Sequence, residues 1–107
     1  MGDRGQVHIK DEGVWLYTHW EATELLDNVK RALSKRWRWN DPEYLARIIF
    51  DEMVGGYHGE ETGFGISTSE HSDVWIIITI NCEEELISVK DNGEITINCS
   101  FSDFISV

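Results

Sequence analysis

Two short segments of the chain combine histidine with carboxylates, the residue types that serve acid–base chemistry and metal binding. Residues 58–61 read His-Gly-Glu-Glu, and residues 70–73 read Glu-His-Ser-Asp. Brought together across the strand predicted between them, His58, His71 and these carboxylates could hold a divalent cation or form an acid–base pair. Their spacing matches no established metal signature, so we predict solvated loops, with no metal, no cofactor and no assigned catalytic residue.

A second group, Tyr17-Thr18-His19-Trp20, stands where a predicted strand gives way to a helix. The simpler interpretation is that Thr18 or His19 caps that helix. The functional alternative is a pocket through which a small enzyme, or a ligand- or metal-binding protein, would use histidine and carboxylate side chains. The residues of this alternative pocket are Tyr17, His19, Trp20, His58 and His71.

One basic segment, Lys35-Arg36-Trp37-Arg38-Trp39, interleaves cations with aromatic rings, a pattern that can stack on bases and hold phosphates. The same residues suit the end of a helix, where cations complement the helix dipole and tryptophans close the turn to the next helix. Because the chain has a formal charge of −11 and would repel a polyanion, we predict no direct nucleic-acid binding.

The charge is divided unequally between the halves of the chain. Residues 1–50 contain eight acidic and eight basic residues, whereas residues 51–107 contain twelve acidic residues and only Lys90 as a base, and therefore carry the whole −11. Charge on this scale affects encounter and choice of partner rather than fold. We therefore predict a basic protein surface as the partner. The candidate interaction residues are Glu60, Glu61, Glu70, Asp73, Glu83, Glu84, Glu85, Asp91 and Glu94.

The hydrophobic pattern predicts the elements that must position these residues. In chain order they are strands at 6–10 and 14–19, helices at 20–36 and 42–54, and strands at 63–68, 74–81, 86–90 and 94–99. This order, ββααββββ, predicts a single α+β domain in two layers, an antiparallel sheet with two helices on one face. The second helix is expected to start with Asp41 as its N-cap and to end at Gly55. Residues 101–107 are expected to add an edge strand or to pack as a tail.

The register of the last hairpin is predicted from the requirement that apolar residues of its two strands lie opposite each other. A two-residue loop at Asn92-Gly93 would place apolar residues across from polar ones. A three-residue loop over 91–93 pairs Val89 with Ile95, both apolar, and we predict this register with Gly93 in the left-handed conformation of a bulge.

Cys82 and Cys99, the two cysteines of the chain, are predicted to be free thiols. If the last three strands are neighbours in chain order, a whole strand separates the cysteines, and two strand spacings are about 9.6 Å. A disulfide needs Cα atoms within about 7 Å. Free thiols agree with an intracellular setting. With no signal-peptide pattern and no apolar run of about 20 residues, the sequence predicts a soluble cytoplasmic protein that binds no membrane.

Four stretches of the chain resemble a family of small uncharacterised proteins from bacteria, archaea and their viruses. They read MGDRGQV, VWLYTHW, RWNDPEYLARIIFDEM and ETGFGIST, and they lie within residues 1–68. The family has no assigned activity, so the resemblance implies no catalytic residue. It weakens beyond Thr68, in the segment that carries most of the excess negative charge.

Three functional hypotheses follow. The first, which we favour, is a small acidic interaction module, a virus-type inhibitor that imitates nucleic acid and occupies a basic, nucleic-acid-binding surface of a host defence complex. The second is an enzyme or ligand-binding protein that uses the histidine pocket, although the sequence leans against enzyme activity. The third is a homo-oligomeric structural protein, such as a homodimer, in which tryptophans and the apolar tail at 101–107 form the interface. A merely solvating acidic surface is the simpler alternative to the first.

Overall fold

The chain folds into one six-stranded sheet and three α-helices, in a computed structural model that describes residues 3–10, 12–56, 59 and 62–106. The elements are β1 (Gly5–Ile9), β2 (Val14–Thr18), a 3₁₀ turn (Ala22–Glu24), α1 (Leu25–Ser34), α2 (Pro42–Val54), β3 (Phe64–Ser67), β4 (Ile76–Asn81), β5 (Leu86–Asp91), β6 (Glu94–Ser100) and α3 (Phe101–Ile105). The predicted α+β class is confirmed.

The sheet is mixed, so the prediction of an antiparallel sheet is wrong. Its strand order is β3-β2-β1-β4-β5-β6, and β1 pairs antiparallel with β2 but parallel with β4, with Val7 opposite Ile78. The strands β3 and β4 are consecutive in the chain but not neighbours in the sheet. Residues 68–75 carry the chain back past β2 and β1 before β4 begins, and a crossover of this kind joins strands that run in the same direction.

The first helix begins later than its periodicity predicts. A 3₁₀ turn occupies Ala22–Glu24, and α1 starts at Leu25. The Thr18 hydroxyl accepts a hydrogen bond from the backbone N–H of Glu21 at 3.1 Å, which satisfies one of the donors that a helix start leaves unpaired. Neither the 3₁₀ turn nor α1 has a side-chain N-cap, however, so the interpretation that Thr18 or His19 caps the first helix is wrong.

The second helix has the predicted start and end. The Asp41 carboxylate accepts the N–H of Tyr44 at 3.2 Å, and Pro42 occupies the first helical position. Gly55 ends the helix with a φ of 60°, a value that costs glycine little. No helix in the described part of the chain is long and apolar enough to cross a bilayer.

The core lies between the helices and one face of the sheet. Along β4, Ile76, Ile78 and Ile80 are buried, whereas Ile77 and Thr79 between them are half-buried. The buried residues of β1, β2, β4 and β5 join those of the helices in one apolar cluster. One face of β4 is therefore covered by the core.

Residues 101–105 form α3, so the prediction of an edge strand here is wrong and the packed tail is right. Ser100 caps the helix by accepting the N–H of Asp103 at 3.0 Å. Phe101 is fully buried, with its ring edge-on to Trp39 at a centroid distance of 5.3 Å, and Phe104 is buried as well. Two apolar rings three residues apart share one face of a helix, which a strand does not allow.

The β5–β6 hairpin has a two-residue turn, and the predicted three-residue loop is wrong. Asp91 pairs with Glu94, and the residues between them, Asn92 and Gly93, have φ values of 50° and 87°. Two consecutive positive φ values are typical of the type I′ turn that the Asn-Gly pair favours. Local turn chemistry therefore sets the loop length.

A bulge in β6, rather than a longer loop, brings apolar residues of the two strands opposite each other. Lys90 pairs with Ile95, but the register then shifts so that Val89 pairs with Ile97. The extra residue, Thr96, turns the apolar positions of β6 back toward the core. Matched faces are thus achieved with a different pairing from the one predicted.

Cys82 directly follows β4, and Cys99 lies in β6, with β5 between these two strands. The strand order behind the thiol prediction is therefore observed, and both cysteines are free in the structure. Burial and three nearby carboxylates raise the pKa of the Cys82 thiol to about 11. Burial also raises the pKa of Cys99.

Candidate functional site

The helices leave one face of the sheet uncovered, termed here the open face. Its side chains alternate with the core positions along the strands, and strand pairing aligns them in two rows across the sheet. The first row reads Gly65, Tyr17, Gln6, Ile77, Lys90 and Ile95. The second reads Ser67, Trp15, His8, Thr79, Ser88 and Asn98.

Residues 68–75, termed the crossing segment, cover part of the open face over β1 and β2. Gln6 holds this segment from below: its Nε2 donates to the Ser69 carbonyl at 3.1 Å, and its Oε1 accepts the N–H of His71 at 2.9 Å. Gln6 is fully buried. Because both ends of its amide are paired, a polar side chain can be buried here without an unsatisfied group.

The structure brings together four of the five residues of the predicted pocket. The ring of Tyr17 lies 4.8 Å from that of His71 and 6.4 Å from that of His19. The Trp20 ring is edge-on to His19 at 5.0 Å. The fifth residue, His58, lies outside the described residues.

Arg4, which the sequence analysis does not single out, joins this group to the crossing segment. Its Nε donates to Nδ1 of His19 at 3.1 Å, and its Nη1 forms a salt bridge with Asp73 at 3.1 Å. The Tyr17 hydroxyl lies 3.4 Å from the same His19 nitrogen. Because these polar groups are directed at one another, the arrangement holds the crossing segment against β1 and β2.

One contact between the end of β3 and the crossing segment has the residue types of a nucleophile and a base. The Ser67 hydroxyl lies 3.2 Å from Nε2 of His71. The same hydroxyl also donates to the Ser69 carbonyl at 2.9 Å and accepts the Ser69 N–H at 3.2 Å, the bonding of a local serine turn. No carboxylate among the described residues contacts the His71 ring to orient it, as a catalytic triad would require.

A cleft of about 410 Å³ opens beside this cluster, where β2 meets β3. Trp20, 63% exposed, forms one wall, and its ring lies so close to Gly63 that a Cβ there would come within 2.7 Å. The lining residues are Tyr17, His19, Trp20, Thr62, Gly63, Phe64 and Gly65. Across the described ranges, no three His, Cys, Asp or Glu side chains are grouped as metal ligands.

The rest of the open face, over β4, β5 and β6, is termed the neutral face because Lys90 is its one charged residue among those described. At its border Trp15 stacks on His8, with the ring centroids 3.9 Å apart and the planes within 8°. Its other residues are Ile77, Thr79, Ser88, Ile95 and Asn98. Aromatic, aliphatic and neutral polar groups of this kind are typical of the centre of a protein interface, where charged residues are depleted.

Five of the nine acidic residues predicted to interact lie at the two ends of β5. Glu83, Glu84 and Glu85 form the exposed turn after β4, whereas Asp91 and Glu94 flank the turn at the opposite end of β5. A strand of six residues at about 3.3 Å per residue separates the two groups by roughly 20 Å. These five residues therefore form two acidic ends with the neutral face between them.

The remaining candidate acids are placed less uniformly. Asp73 lies at the same end of the sheet as Asp91, just before β4, and is paired with Arg4. Glu70 is exposed on the crossing segment. Glu60 and Glu61 lie outside the described residues.

Positive charge is concentrated in the helical layer, away from the open face. Six of the nine Lys and Arg residues belong to α1, α2 or the segment between them: Lys30, Arg31, Lys35, Arg36, Arg38 and Arg47. Arg31 and Lys35 both bond to Glu52, at 3.1 and 3.5 Å. The same stretch, residues 25–54, also holds five acids, so it carries a net +1 and the excess negative charge of the protein lies elsewhere in the chain.

Trp39 packs against the core, whereas the other four residues of the basic segment after α1 are exposed. The indole of Trp39 is half-buried and donates from Nε1 to the Leu33 carbonyl at 3.1 Å. The Arg36 guanidinium lies over the same ring. These contacts support the interpretation that the segment closes the turn between two helices.

Asp3 fixes the start of the chain at the end of the sheet where β1 and β4 begin. One oxygen accepts the Trp75 indole N–H at 2.6 Å, and the other accepts the Thr23 backbone N–H at 2.8 Å together with the Thr23 hydroxyl. Burial opposes ionisation, but these hydrogen bonds outweigh it and lower the pKa of Asp3 below its ordinary 3.8.

Comparisons with protein-family models, curated proteins and solved structures find no match to this chain. Function is therefore inferred from the geometry and charge of the chain itself.

Proposed function

We propose that this protein is an acidic interaction module that docks the neutral face of its sheet on a basic protein surface. The surface it fits is one that otherwise binds nucleic acid, so that the module acts as an inhibitor by occupying it. A host defence complex that holds nucleic acid is a partner of this class. The single observation that carries the proposal is a face with Lys90 as its one described charge, set between two acidic ends.

The neutral face has the composition of an interface core. The stacked pair Trp15 and His8 gives it a rigid aromatic border, and Trp is enriched among the residues that dominate binding energy. Thr79 and Ser88, half-buried near its centre, present hydroxyl groups to a partner. No desolvated charge pair has to form at this centre.

The acidic ends supply recognition around that core. Two groups of carboxylates roughly 20 Å apart, a distance that follows from about 3.3 Å per strand residue, can meet two positive patches on either side of a nucleic-acid-binding site. Because residues 25–54 of the helical layer carry a net +1 and the excess acids lie elsewhere, the protein's field also favours an approach with the sheet leading. Binding should therefore weaken as salt is raised.

A second candidate is ligand binding in the Trp20 cleft, which is favoured by the grouping of Tyr17, His19 and His71 beside an exposed indole. A thermal-shift screen with nucleotides and divalent metals tests it, since a ligand that binds only the native state raises the melting temperature. A shift that Trp20→Ala abolishes would support this candidate, and no shift with any compound would remove it.

The interaction proposal is tested by affinity capture from extracts of the source organism or its host. We expect low-salt capture of a nucleic-acid-binding protein that added nucleic acid displaces. Glu83→Lys with Glu84→Lys should weaken capture at least tenfold, whereas the matched pair Glu24→Lys with Glu43→Lys, which changes net charge equally on the helical side, should have little effect. Equal losses from both pairs would show that net charge alone is responsible, contrary to the proposal.

A neutral pair of variants tests the face itself. Ser88→Tyr adds a ring at the centre of the neutral face, and Ser34→Tyr adds the same ring to the exposed end of α1. We expect the first to abolish capture and the second to leave it unchanged, with both variants folded by circular dichroism. Capture that survives Ser88→Tyr would rule out docking through this face.

A further inference from the structure

We infer that the outer edge of β6 and the groove beside it form a docking site for an extended, basic-flanked segment of a partner protein, which adds a seventh strand to the sheet. This site borders the neutral face, with which it shares Ile95 and Asn98 on β6, but it binds through the backbone edge and through a groove on the helical side of the sheet, so variants in the groove can separate the two. The inference depends on three features of the edge.

The first feature is an unprotected strand edge. β6 lies at the end of the sheet and pairs only with β5 among the described strands. Its sequence, EITINCS, contains no lysine or proline, the residues with which exposed edges are usually blocked, and its only charge is Glu94 at the start. Ile95 is 61% exposed. Such an edge offers a row of backbone donors and acceptors to an added strand.

The second feature is a groove of about 350 Å³ that runs beside this edge, between α1, β6 and α3. Its apolar lining comes from Leu26 on α1, from Ile97 and Cys99 on β6 and from Phe104 on α3. A strand added to β6 would direct alternate side chains toward this groove, as happens where peptides are bound between a strand edge and a helix. An aliphatic side chain of the incoming segment fits this lining.

The third feature is charge, which selects the occupant. Asp27 lies in the groove, Asp103 follows β6 in α3, and Glu94 begins the strand, while Lys30 is the one cation that lines the groove among the described residues. Basic residues on either side of the incoming segment therefore meet carboxylates at both ends of β6. A second copy of this chain, with its formal charge of −11, would instead bring like charges together.

The test uses the whole protein, labelled with ¹⁵N, and a synthetic peptide of sequence KKVTVTVKK. We expect amide shifts confined to residues 94–100 and to the groove side of α1, together with slowed hydrogen exchange along β6. A peptide with proline in place of its first threonine should bind at least tenfold more weakly, because proline disrupts the ladder, and EEVTVTVEE should also bind at least tenfold more weakly. Shifts outside the edge and groove, or equal binding of all three peptides, would overturn the inference.

A matched pair of variants tests the groove. Asp27→Lys and Glu43→Lys make the same change of charge on exposed helix positions, one in the groove and one on α2. We expect Asp27→Lys to weaken the basic peptide about tenfold and Glu43→Lys to have less than a twofold effect. Peptide-free shifts of β6 that grow with protein concentration would identify a second copy as the occupant and would contradict the inference. Neither result bears on capture through the neutral face.

Discussion

The side-chain amide of Gln6 holds the backbone of His71, accepting its N–H at 2.9 Å while donating to the Ser69 carbonyl at 3.1 Å. The two residues are 65 positions apart in the chain. Through this pair, the middle of β1 fixes the crossing segment over one half of the open face and leaves the neutral face uncovered. The buried amide of Gln6 thus sets the boundary between the covered part of the open face and the neutral face.

Replacing Gln6 with alanine should loosen the crossing segment. The variant removes a buried side chain that pairs two backbone groups, and leaving such groups unpaired costs about 1–3 kcal/mol. Urea denaturation should show a loss of this size, and hydrogen exchange should show faster exchange at His71. Asn98→Ala, at an exposed position of the open face, is the control and should change stability little. If the two variants were equally stable, the Gln6 amide would not hold the segment.

Gly5→Ala should destabilise the protein although it adds a single carbon. A Cβ at Gly5 would lie 2.7 Å from Cγ2 of Ile76 and 2.9 Å from Cβ of Ala22, and both neighbours are buried. Overpacking of this kind costs about 1–3 kcal/mol. Gly13→Ala is the matched control, because nothing lies within 4 Å of the added carbon. Thermal melts should rank Gly5→Ala well below Gly13→Ala; the reverse order would contradict the close packing of β1 on β4.

The stabilising effect of Asp3 should depend on pH. Its pKa is lower in the folded protein than the ordinary 3.8, so its contribution is present above pH 3.8 and is lost as pH falls through the folded value. Asp3→Asn should therefore be less stable than the unmodified protein at pH 7, with the difference shrinking below pH 4. Urea titrations at several pH values measure this. A difference that stayed constant to pH 2 would show that ionisation of Asp3 makes no contribution.

Cys82 should be nearly inert to alkylation in the native protein. Its pKa of about 11 leaves little thiolate at pH 8, and the thiolate is the reactive form. Mass spectrometry after iodoacetamide treatment should show slow modification of native Cys82 and rapid modification after unfolding in urea. Because Cys99 is only half-buried, it should react before Cys82. Fast native labelling of Cys82 would contradict its burial after β4.

Local sequence patterns predict most of the helices and strands, because the interactions that start and end these elements lie within a few residues of one another. Asp41 and Pro42 start α2 by satisfying or omitting N–H groups within one turn, and Gly55 ends it by adopting a positive φ. The alternation of Ile76, Ile78 and Ile80 reports burial on one face of β4 directly. Such features need no knowledge of distant parts of the chain.

The incorrect predictions concern features that are determined by contacts between distant parts of the chain or by a competing local preference. The parallel pairing of β1 with β4 depends on the crossing segment, which Gln6 anchors across 65 positions, and the sequence pattern of Gln6 gives no sign of this role. Likewise Arg4 contacts both His19 and Asp73, residues 15 and 69 positions away in the chain, and local sequence patterns do not show this. Residue type and the predicted ends of the elements are enough to group Tyr17, His19 and His71 in one pocket. The separation of the two acidic ends, roughly 20 Å at about 3.3 Å per strand residue, can be derived only once the hairpin topology is known.

Site-specific photo-crosslinking tests the central claim most directly. A benzophenone amino acid at Ser88 samples the neutral face, and the same residue at Ser34 samples the helical side. In low-salt extract we expect position 88, and not position 34, to crosslink to a nucleic-acid-binding protein, with the product lost when nucleic acid is added. Crosslinks from position 34 alone, or from neither position, would contradict docking through the neutral face.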